Sequence, residues 1–238
     1  MTLTAIIPEA SKWANKALDL FFPTVCAGCG KLGPMICENC LLQFPQVREP
    51  ICHRCGHSLV HPANVCGKCW STDFHLQQVR ASLIYRDPIK SIIHKMKYQG
   101  LFALSKPLAG LMANNWPSWN DTPDLIMPVP LHPRRMKNRG FNQSALLATH
   151  LGQELDITVN LTGLERVRNT APQVGLNPQK RQENVRDAFN ADPGTASGKQ
   201  ILLIDDVFTT GATMLAAAKA LLVAGATNVS AYCLARTV

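Results

Sequence analysis

Two kinds of residue in this chain have the types and the spacing to do chemistry: an adjacent pair of carboxylates and a series of paired cysteines. The carboxylates are Asp205 and Asp206, which end a run of four apolar residues and precede a stretch of threonine, glycine and alanine at 209–213. Eight of the nine cysteines lie within residues 26–69, all in Cys-x-x-Cys pairs. The first group suits a sugar phosphate, and the second suits a metal ion.

The segment around the carboxylates, residues 201–213 (ILLIDDVFTTGAT), is typical of a buried strand, a short loop and the start of a helix. Free N–H groups and the positive dipole end at a helix N-terminus favour a phosphate. Carboxylates at the strand end can accept hydrogen bonds from two neighbouring sugar hydroxyls, or reach a Mg²⁺ that phosphates carry. The segment therefore predicts binding of a ribose 5-phosphate that bears further phosphate. The alternative is an ordinary strand–turn–helix that happens to contain two aspartates.

The same segment resembles the 5-phosphoribosyl-1-pyrophosphate (PRPP) signature of type I phosphoribosyltransferases along its whole length. The acidic pair, the Thr-Thr-Gly turn and the helix occur together and in the order of that signature. PRPP with Mg²⁺ is therefore the expected ligand.

The four cysteine pairs predict two structural Zn²⁺ sites. A Cys-x-x-Cys turn points two thiolates at one ion, and two such turns complete a tetrahedral site of four sulfurs. Disulfides are one alternative, disfavoured in a chain whose start does not read as a signal peptide, and an iron–sulfur cluster is another. The pairs can combine in sequence order, which we expect, or interleave. They are Cys26/Cys29, Cys37/Cys40, Cys52/Cys55 and Cys66/Cys69.

Composition and charge restrict the class of protein and of partner. The chain of 238 residues has a net charge of +8 and contains no apolar run long enough to predict membrane insertion, so we expect a cytoplasmic protein. Ten basic residues between Arg80 and Arg139 face only three acidic ones, which favours an anionic partner. We expect three parts: residues 1–25 with an amphipathic helix near Ser11–Phe22, a double zinc ribbon at 26–75, and an α/β domain at 76–238.

The α/β domain is expected to contain a mostly parallel sheet flanked by helices, because strand-like and helix-like segments alternate along it. Ligands bind such sheets beyond the carboxyl ends of the strands, where the acidic pair would lie. The predicted helices are Ile89–Met96, Asn142–Leu155 and Thr213–Leu222. The predicted strands are Val79–Tyr85, Leu125–Val129, Ile157–Thr162, Ile201–Val207 and Val229–Leu234.

Three basic segments are expected at the same rim, where they could contact pyrophosphate or nucleic acid. The first is a proline-stiffened loop at 127–143, whose alternative is a solvated basic turn. The second, at 95–100, has helix capping by lysine as its alternative. The third, at 165–186, reads as a lid. The residues chosen from these segments are Lys97, Arg134, Arg135, Arg139, Arg166 and Arg168.

Taken together, these motifs resemble the ComF family, whose members are phosphoribosyltransferase-like proteins linked to DNA uptake and natural competence. The carrying segments are the double cysteine ribbon, KMKYQG, PVPLHPRRMKNRGFNQS and RNTAPQ, followed by KRQENV and LLIDDVFTTGAT. The resemblance implies a type I phosphoribosyltransferase fold, with Asp205 and Asp206 on the ribose hydroxyls and Arg134 and Arg135 near the pyrophosphate. The residues implied for the 5-phosphate are Thr209, Thr210, Gly211, Ala212 and Thr213.

Two functions remain open from the sequence. In the first, the chain binds PRPP and single-stranded DNA during DNA uptake, together with competence or DNA-translocation proteins. In the second, it transfers ribose 5-phosphate from PRPP to a nucleobase or another nitrogen acceptor, with the acidic pair as catalytic residues. No nucleobase hood is recognisable, so catalysis is left open. The rings that could stack on bases are Trp70, Phe74, Tyr85, Tyr98, Trp116, Trp119 and Phe141.

Overall fold

The computed structural model forms two compact units, Met1–Gln43 and Phe44–Val238, which divide the chain between its two groups of cysteines. In the described part of the chain, no helix combines the length and the apolar character that a membrane crossing needs. The predicted helix near Ser11–Phe22 lies outside the described residues, and the predicted three-part division remains a prediction. The structure describes residues 24–61, 63–70, 74–119, 122–170 and 183–238.

The described part of the first unit is a cysteine turn followed by a short helix. Cys26 donates its N–H to the carbonyl of Lys31 at 2.8 Å. Gly30 lies between them at φ +74°, a backbone conformation in which a Cβ is strained. Helix α1 spans Glu38–Leu42 and buries Cys40.

The described part of the second unit contains strands and helices in alternation. The strands are β1 (Val79–Ile84), β2 (Leu125–Pro128), β3 (Leu164–Arg166), β4 (Phe189–Ala191), β5 (Gln200–Phe208) and β6 (Asn228–Arg236). The helices are α2 (Gly67–Trp70), α3 (Ile89–Tyr98), α4 (Ser105–Asn114), α5 (Pro133–Arg139), α6 (Gln143–Leu155), α7 (Pro193–Ala196) and α8 (Ala212–Val223). A one-turn 3-10 helix, Phe102–Leu104, joins α3 to α4.

Four of these strands form a parallel sheet in the order β1-β6-β5-β2. Their near-continuous apolar sequences are typical of strands that are covered on both faces. Successive side chains of a strand point to opposite faces. On one face, Ile201 and Leu203 join the core that α8 closes. On the other, Tyr232 donates from its hydroxyl to the carbonyl of Met112 in α4 at 2.9 Å. The predicted class, a mostly parallel sheet flanked by helices, is confirmed.

Two features of the second unit differ from the sequence-based expectation. The predicted strand Ile157–Thr162 is wrong, since only Val159 bridges to β2. The Asn160 side chain accepts the N–H groups of Thr162 and Gly163 at 3.0 and 2.6 Å, which folds the chain into a turn. Strands β3 and β4 form an antiparallel pair that was not predicted, because strands of three residues are too short to show a periodic pattern.

Candidate functional site

The acidic pair lies at the carboxyl end of β5, near the middle of the sheet's rim. The carbonyl of Ile204 accepts a hydrogen bond from the N–H of Val129, the residue after β2, at 2.9 Å. On the other side, Asp205 pairs in register with Cys233 of β6. Because the four strands are parallel, their carboxyl ends meet along this edge, where α/β sheets bind ligands.

Asp205 is held by α6. Its Oδ1 accepts hydrogen bonds from the Ser144 hydroxyl at 2.7 Å and from the Asp206 N–H at 2.9 Å. Asn142 fixes the start of α6, because it accepts the Ser144 N–H at 3.0 Å and donates to the Val129 carbonyl at 3.1 Å. Burial, reinforced by the charge of Asp206, raises the pKa of Asp205 to about 6.

Asp206 is held by α3 through a single oxygen. The Lys97 ammonium lies 2.7 Å from Asp206 Oδ1. Burial works to lower the pKa of Lys97, but the attraction of Asp206 outweighs it, so the pKa is raised and the lysine stays charged. The other carboxylate oxygen, Asp206 Oδ2, is buried and makes no hydrogen bond to the protein. A buried carboxylate oxygen in that condition is suited to accept a donor from a ligand.

The loop after β5 leads into α8 without a side-chain cap. Gly211 is the residue before the helix, at φ +81°, and it has no side chain with which to cap the first turn. A Cβ at Gly211 would lie 2.7 Å from the Phe208 ring, so the turn requires glycine for its conformation and for space. The Thr210 hydroxyl oxygen is also buried and without a hydrogen bond to the protein. The loop thus offers donors to an anion, as expected for a helix N-terminus.

The first basic segment is partly helical, whereas the sequence predicts a loop. Pro133 occupies the first position of α5 and the His132 side chain accepts the Arg134 N–H at 3.2 Å, so the proline starts a helix. Arg135 turns toward the third basic segment and donates to the Thr170 carbonyl at 2.7 Å. Arg139 donates to Gln143 Oε1 at 2.7 Å.

The third segment separates its two arginines. Arg166 is buried, with one guanidinium nitrogen 2.5 Å from the Thr170 hydroxyl, and its Nε makes no hydrogen bond to the protein. Burial, with repulsion from Arg135, lowers the pKa of Arg166 to about 10, and attraction from Asp205 partly opposes this. Arg166 therefore interacts electrostatically both with Arg135 and with Asp205. Arg168 instead donates to the carbonyl of Arg186. Residues 171–182, the rest of the expected lid, lie outside the described residues.

Sequence reasoning missed part of this arrangement. Ser144 and Thr170 were not chosen, although each makes one of the hydrogen bonds that fix the site. The sequence predicts Lys97 as a contact to pyrophosphate or nucleic acid, which stays a prediction, and it does not indicate that the Lys97 ammonium lies on Asp206. A long-range pair of this kind, 109 residues apart in the chain, leaves no local signal in the sequence. The FNQS motif, with its N-cap asparagine before a serine, was the one available sign of Ser144.

The eight paired cysteines form two clusters, and each cluster combines neighbouring pairs. Sulfurs of one cluster lie within 4.8 Å of one another. The Sγ–Sγ separations are 3.7 Å for Cys26–Cys40 and for Cys29–Cys37, and 3.8 Å for Cys55–Cys66. Four sulfurs at ~2.3 Å from one Zn²⁺ in a tetrahedron lie ~3.8 Å apart, whereas a disulfide needs ~2.05 Å. The donor sets therefore fit structural Zn²⁺.

Backbone N–H groups directed at the cysteine sulfurs favour the thiolate form in these clusters. Cys37 N–H points to the Cys26 sulfur and Cys66 N–H to the Cys52 sulfur, both at 3.3 Å. Burial opposes ionisation, but such donors outweigh it and lower the pKa of Cys26 to about 6 and that of Cys52 to about 7. Thiolates are the form that Zn²⁺ binds.

The second cluster is built into the sheet domain. The Arg236 guanidinium donates to the Cys55 carbonyl and lies over the Phe208 ring, with its Cζ 5.7 Å from the centroid. Val79, at the start of β1, donates its N–H to the Arg54 carbonyl at 2.6 Å. Gly56 fits against the Val79 carbonyl, where an added Cβ would come within 2.6 Å. The cluster thus supports the strands that lead to the ligand edge.

Comparisons with known proteins agree with this architecture. Residues 17–72 match the family described as "Double zinc ribbon domain", and residues 142–237 match "Phosphoribosyl transferase domain". The chain is 33% identical to DNA utilization protein YhgH of Salmonella typhimurium, over 85% of this chain and 90% of that one. It is 31% identical to competence protein F of Haemophilus influenzae, over 84% and 90% of the two chains. Competence protein ComFC of Bacillus subtilis is 29% identical over 85% and 84%.

The fold and the two clusters define a phosphoribosyltransferase-fold protein with an N-terminal double zinc ribbon. With relatives at this level of identity along most of its length, the chain belongs to the ComF family of competence and DNA utilization proteins.

Proposed function

We propose that this protein binds PRPP with Mg²⁺ at the carboxyl end of β5 and acts in the cytoplasm during DNA uptake, where it binds single-stranded DNA. The observation that carries the PRPP proposal is the pair of buried oxygens without a partner, Asp206 Oδ2 and Thr210 Oγ1, beside an uncapped helix. Ribose hydroxyls supply the donors that a carboxylate oxygen accepts, and a phosphate accepts from a hydroxyl and from backbone N–H groups.

Each part of the edge has a role in this proposal. Asp205 and Asp206 orient the ribose, and Lys97 holds the Asp206 carboxylate in place. Arg135 and Arg166 supply positive charge for the pyrophosphate, to which guanidinium groups bind through several N–H donors. Mg²⁺, when bound with PRPP, neutralises part of the phosphate charge.

Asp205→Asn combined with Asp206→Asn tests the site. At a PRPP·Mg²⁺ concentration about a hundredfold above the dissociation constant, we expect the wild-type melting temperature to rise by about 5–10 °C, and that of the double variant to stay unchanged. Thermal unfolding and calorimetric titration measure both. Asp192→Asn is the matched control, since Asp192 caps α7 through a side-chain oxygen that asparagine also has. PRPP stabilisation of the double variant equal to that of the control would refute the site.

The DNA half of the proposal draws on charge and on relatives. The net charge of +8 suits a polyanion. Three similar proteins carry the names DNA utilization protein or competence protein, which supports a role in DNA uptake alongside competence or DNA-translocation proteins.

A second function is phosphoribosyl transfer, which the match of residues 142–237 to a transferase domain favours. The bond from the anomeric carbon to pyrophosphate would break while a bond from a nucleobase or other nitrogen acceptor forms, with Asp205 and Asp206 as catalytic residues. Pyrophosphate release from PRPP, measured with and without each nucleobase, tests this. Release that requires a nucleobase and is lost in the double variant would establish the transferase, and acceptor-independent or absent release would oppose it.

A further inference from the structure

Two ring side chains at the end of α3 and just beyond it lie exposed to solvent. Tyr98, the last residue of α3, is 64% exposed, and Phe102 in the following 3-10 helix is 58% exposed. Two other rings considered as stacking faces, Trp116 and Trp119, are partly buried and pack against the Tyr232 ring, with centroid distances of 5.4 and 6.1 Å. Exposed rings in a small area are a common sign of a binding surface.

A second element brings positive charge to these rings. The guanidinium of Arg139, at the end of α5, lies over the Tyr98 ring with its Cζ 5.4 Å from the centroid. Phe141, two residues later, meets Phe102 edge to face at 6.0 Å. We call the set of Tyr98, Phe102, Arg139, Phe141 and the exposed Lys137 the aromatic–basic surface.

The two helices that form this surface contain no acidic residue. Helix α3 has the sequence IKSIIHKMKY and α5 the sequence PRRMKNR, so their only formal charges are positive. Rings that alternate with cations fit a ligand with flat apolar faces and a repeating negative charge. Single-stranded nucleic acid has both, whereas the base faces of a duplex are already stacked.

From this geometry, and resting on the DNA-binding role proposed above, we infer that the aromatic–basic surface is where single-stranded DNA binds. Bases stack on Tyr98 and Phe102, while the phosphates pass Lys137 and Arg139. The contact is independent of sequence, because every base has a face to stack.

The surface shares its helices with the PRPP site. Lys97, which binds Asp206, directly precedes Tyr98. Arg139 donates to Gln143, and the next residue, Ser144, donates to Asp205. These contacts connect each carboxylate to the aromatic–basic surface. PRPP and single-stranded DNA should therefore alter each other's affinity for the protein, and by the same factor.

Fluorescence anisotropy of a labelled oligothymidylate across a salt series tests this inference with the full chain. For Tyr98→Ala combined with Phe102→Ala we expect binding weaker by about tenfold or more, because each substitution removes the stacking of one base on an aromatic ring. Trp70→Ala is the matched control: Trp70 is 82% exposed but lies on α2, and its loss should leave the affinity unchanged. Lys137→Gln should reduce the slope of log affinity against log salt by about 0.7. PRPP stabilisation of every variant should match the wild type.

The outcomes separate this inference from the function on which it rests. If the wild type binds and the double ring variant binds equally well, the surface is wrong and the DNA role stands. If the wild type does not bind the oligonucleotide at low salt, the DNA-binding role itself fails. The PRPP-binding role is then tested separately, by whether PRPP stabilises the protein. Binding to vesicles of anionic lipid is measured last. If the wild type binds vesicles but not the oligonucleotide, and the double ring variant does not bind vesicles, the surface is a membrane contact and the inference is overturned.

Discussion

The second cysteine cluster and the carboxylate edge belong to the same compact unit. They differ in whether their polar groups are hydrogen-bonded within the protein. Around the cluster, the Cys66 N–H points to a sulfur, and the Cys55 and Cys69 carbonyls accept from Arg236 and Arg54. At the carboxylate edge, three buried atoms make no hydrogen bond to the protein, out of five such side-chain atoms in the described residues. They are Arg166 Nε, Asp206 Oδ2 and Thr210 Oγ1.

The contrast separates a region built for stability from one built for binding. Polar groups that are satisfied within the protein contribute to folding, whereas buried groups left unsatisfied cost stability until a ligand pairs with them. Substitutions should therefore act in opposite directions in the two regions. Those at the cluster should lower stability whether or not ligand is present, and some at the edge should raise the stability of the free protein.

The largest effect is expected from Cys52→Ser combined with Cys55→Ser. Without two of its thiolates the second cluster loses its metal, and with it the support of β1 and of Arg236. Metal binding of this kind contributes a large share of a small region's folding free energy, so we expect the melting temperature of the sheet domain to fall by about 10 °C or more. Scanning calorimetry and zinc analysis measure this.

Cys26→Ser combined with Cys29→Ser is the control for that experiment. It removes the same groups from the first cluster, which belongs to the other compact unit. The main unfolding transition should then shift by less than about 2 °C, while bound zinc falls as much as in the first variant. Equal losses of stability from both clusters would show that the second one has no special tie to the sheet.

The sequence predicted most of both regions, and the parts that it missed have a common cause. The strand ending in Asp205 and the pairs of cysteines depend on local patterns, which a single sequence displays. Lys97 on Asp206 and Arg236 on Cys55 join residues far apart in the chain, and only the packing of the sheet brings them together. The prolines of segment 127–143 predict a loop, but Pro133 lies at the first position of a helix, where proline favours helix formation.

Gly211→Ala should give the next largest effect. The substitution adds two costs: the strain of a Cβ at positive φ, and a contact with the Phe208 ring at 2.7 Å. Together we expect a loss of about 3 kcal/mol in the free energy of unfolding, and PRPP binding weakened at least tenfold because the loop must move. Urea unfolding and calorimetric titration with PRPP measure the two quantities.

Gly198→Ala separates the two costs. Gly198 has a similar φ of +72°, but an added Cβ there meets nothing within 4 Å. Its loss should be about 1–2 kcal/mol, the strain alone, with PRPP binding unchanged. If the two variants lose the same stability and both bind PRPP normally, the packing of Gly211 on Phe208 does not shape the loop.

An effect of opposite sign, somewhat smaller than that of Gly211→Ala, is expected from Asp205→Asn in the free protein. Asparagine keeps the Oδ1 that accepts from Ser144 and from the Asp206 N–H, but it removes the charge that burial and Asp206 disfavour. A pKa raised from 3.8 to about 6 means that the folded state binds this proton more tightly than the unfolded chain. Above pH 6 the ionised group therefore lowers wild-type stability, by roughly 2–3 kcal/mol, and the variant escapes that loss.

The pH dependence identifies the cause of that gain. As the pH falls from 7.5 through about 6, Asp205 takes up its proton in the folded state, so the advantage of the variant should shrink to roughly 1 kcal/mol at pH 4.5 and disappear below pH 3.8, where the unfolded chain is also protonated. His57 acts in the other direction, because burial and nearby positive charge lower its pKa, and its protonation costs stability below its usual range. Both proteins share His57, so its contribution cancels in the difference between their unfolding free energies. A difference that stays constant from pH 7.5 to 4.5 would assign the gain to something other than the charge of Asp205, and the contrast between the two regions would lose its electrostatic basis.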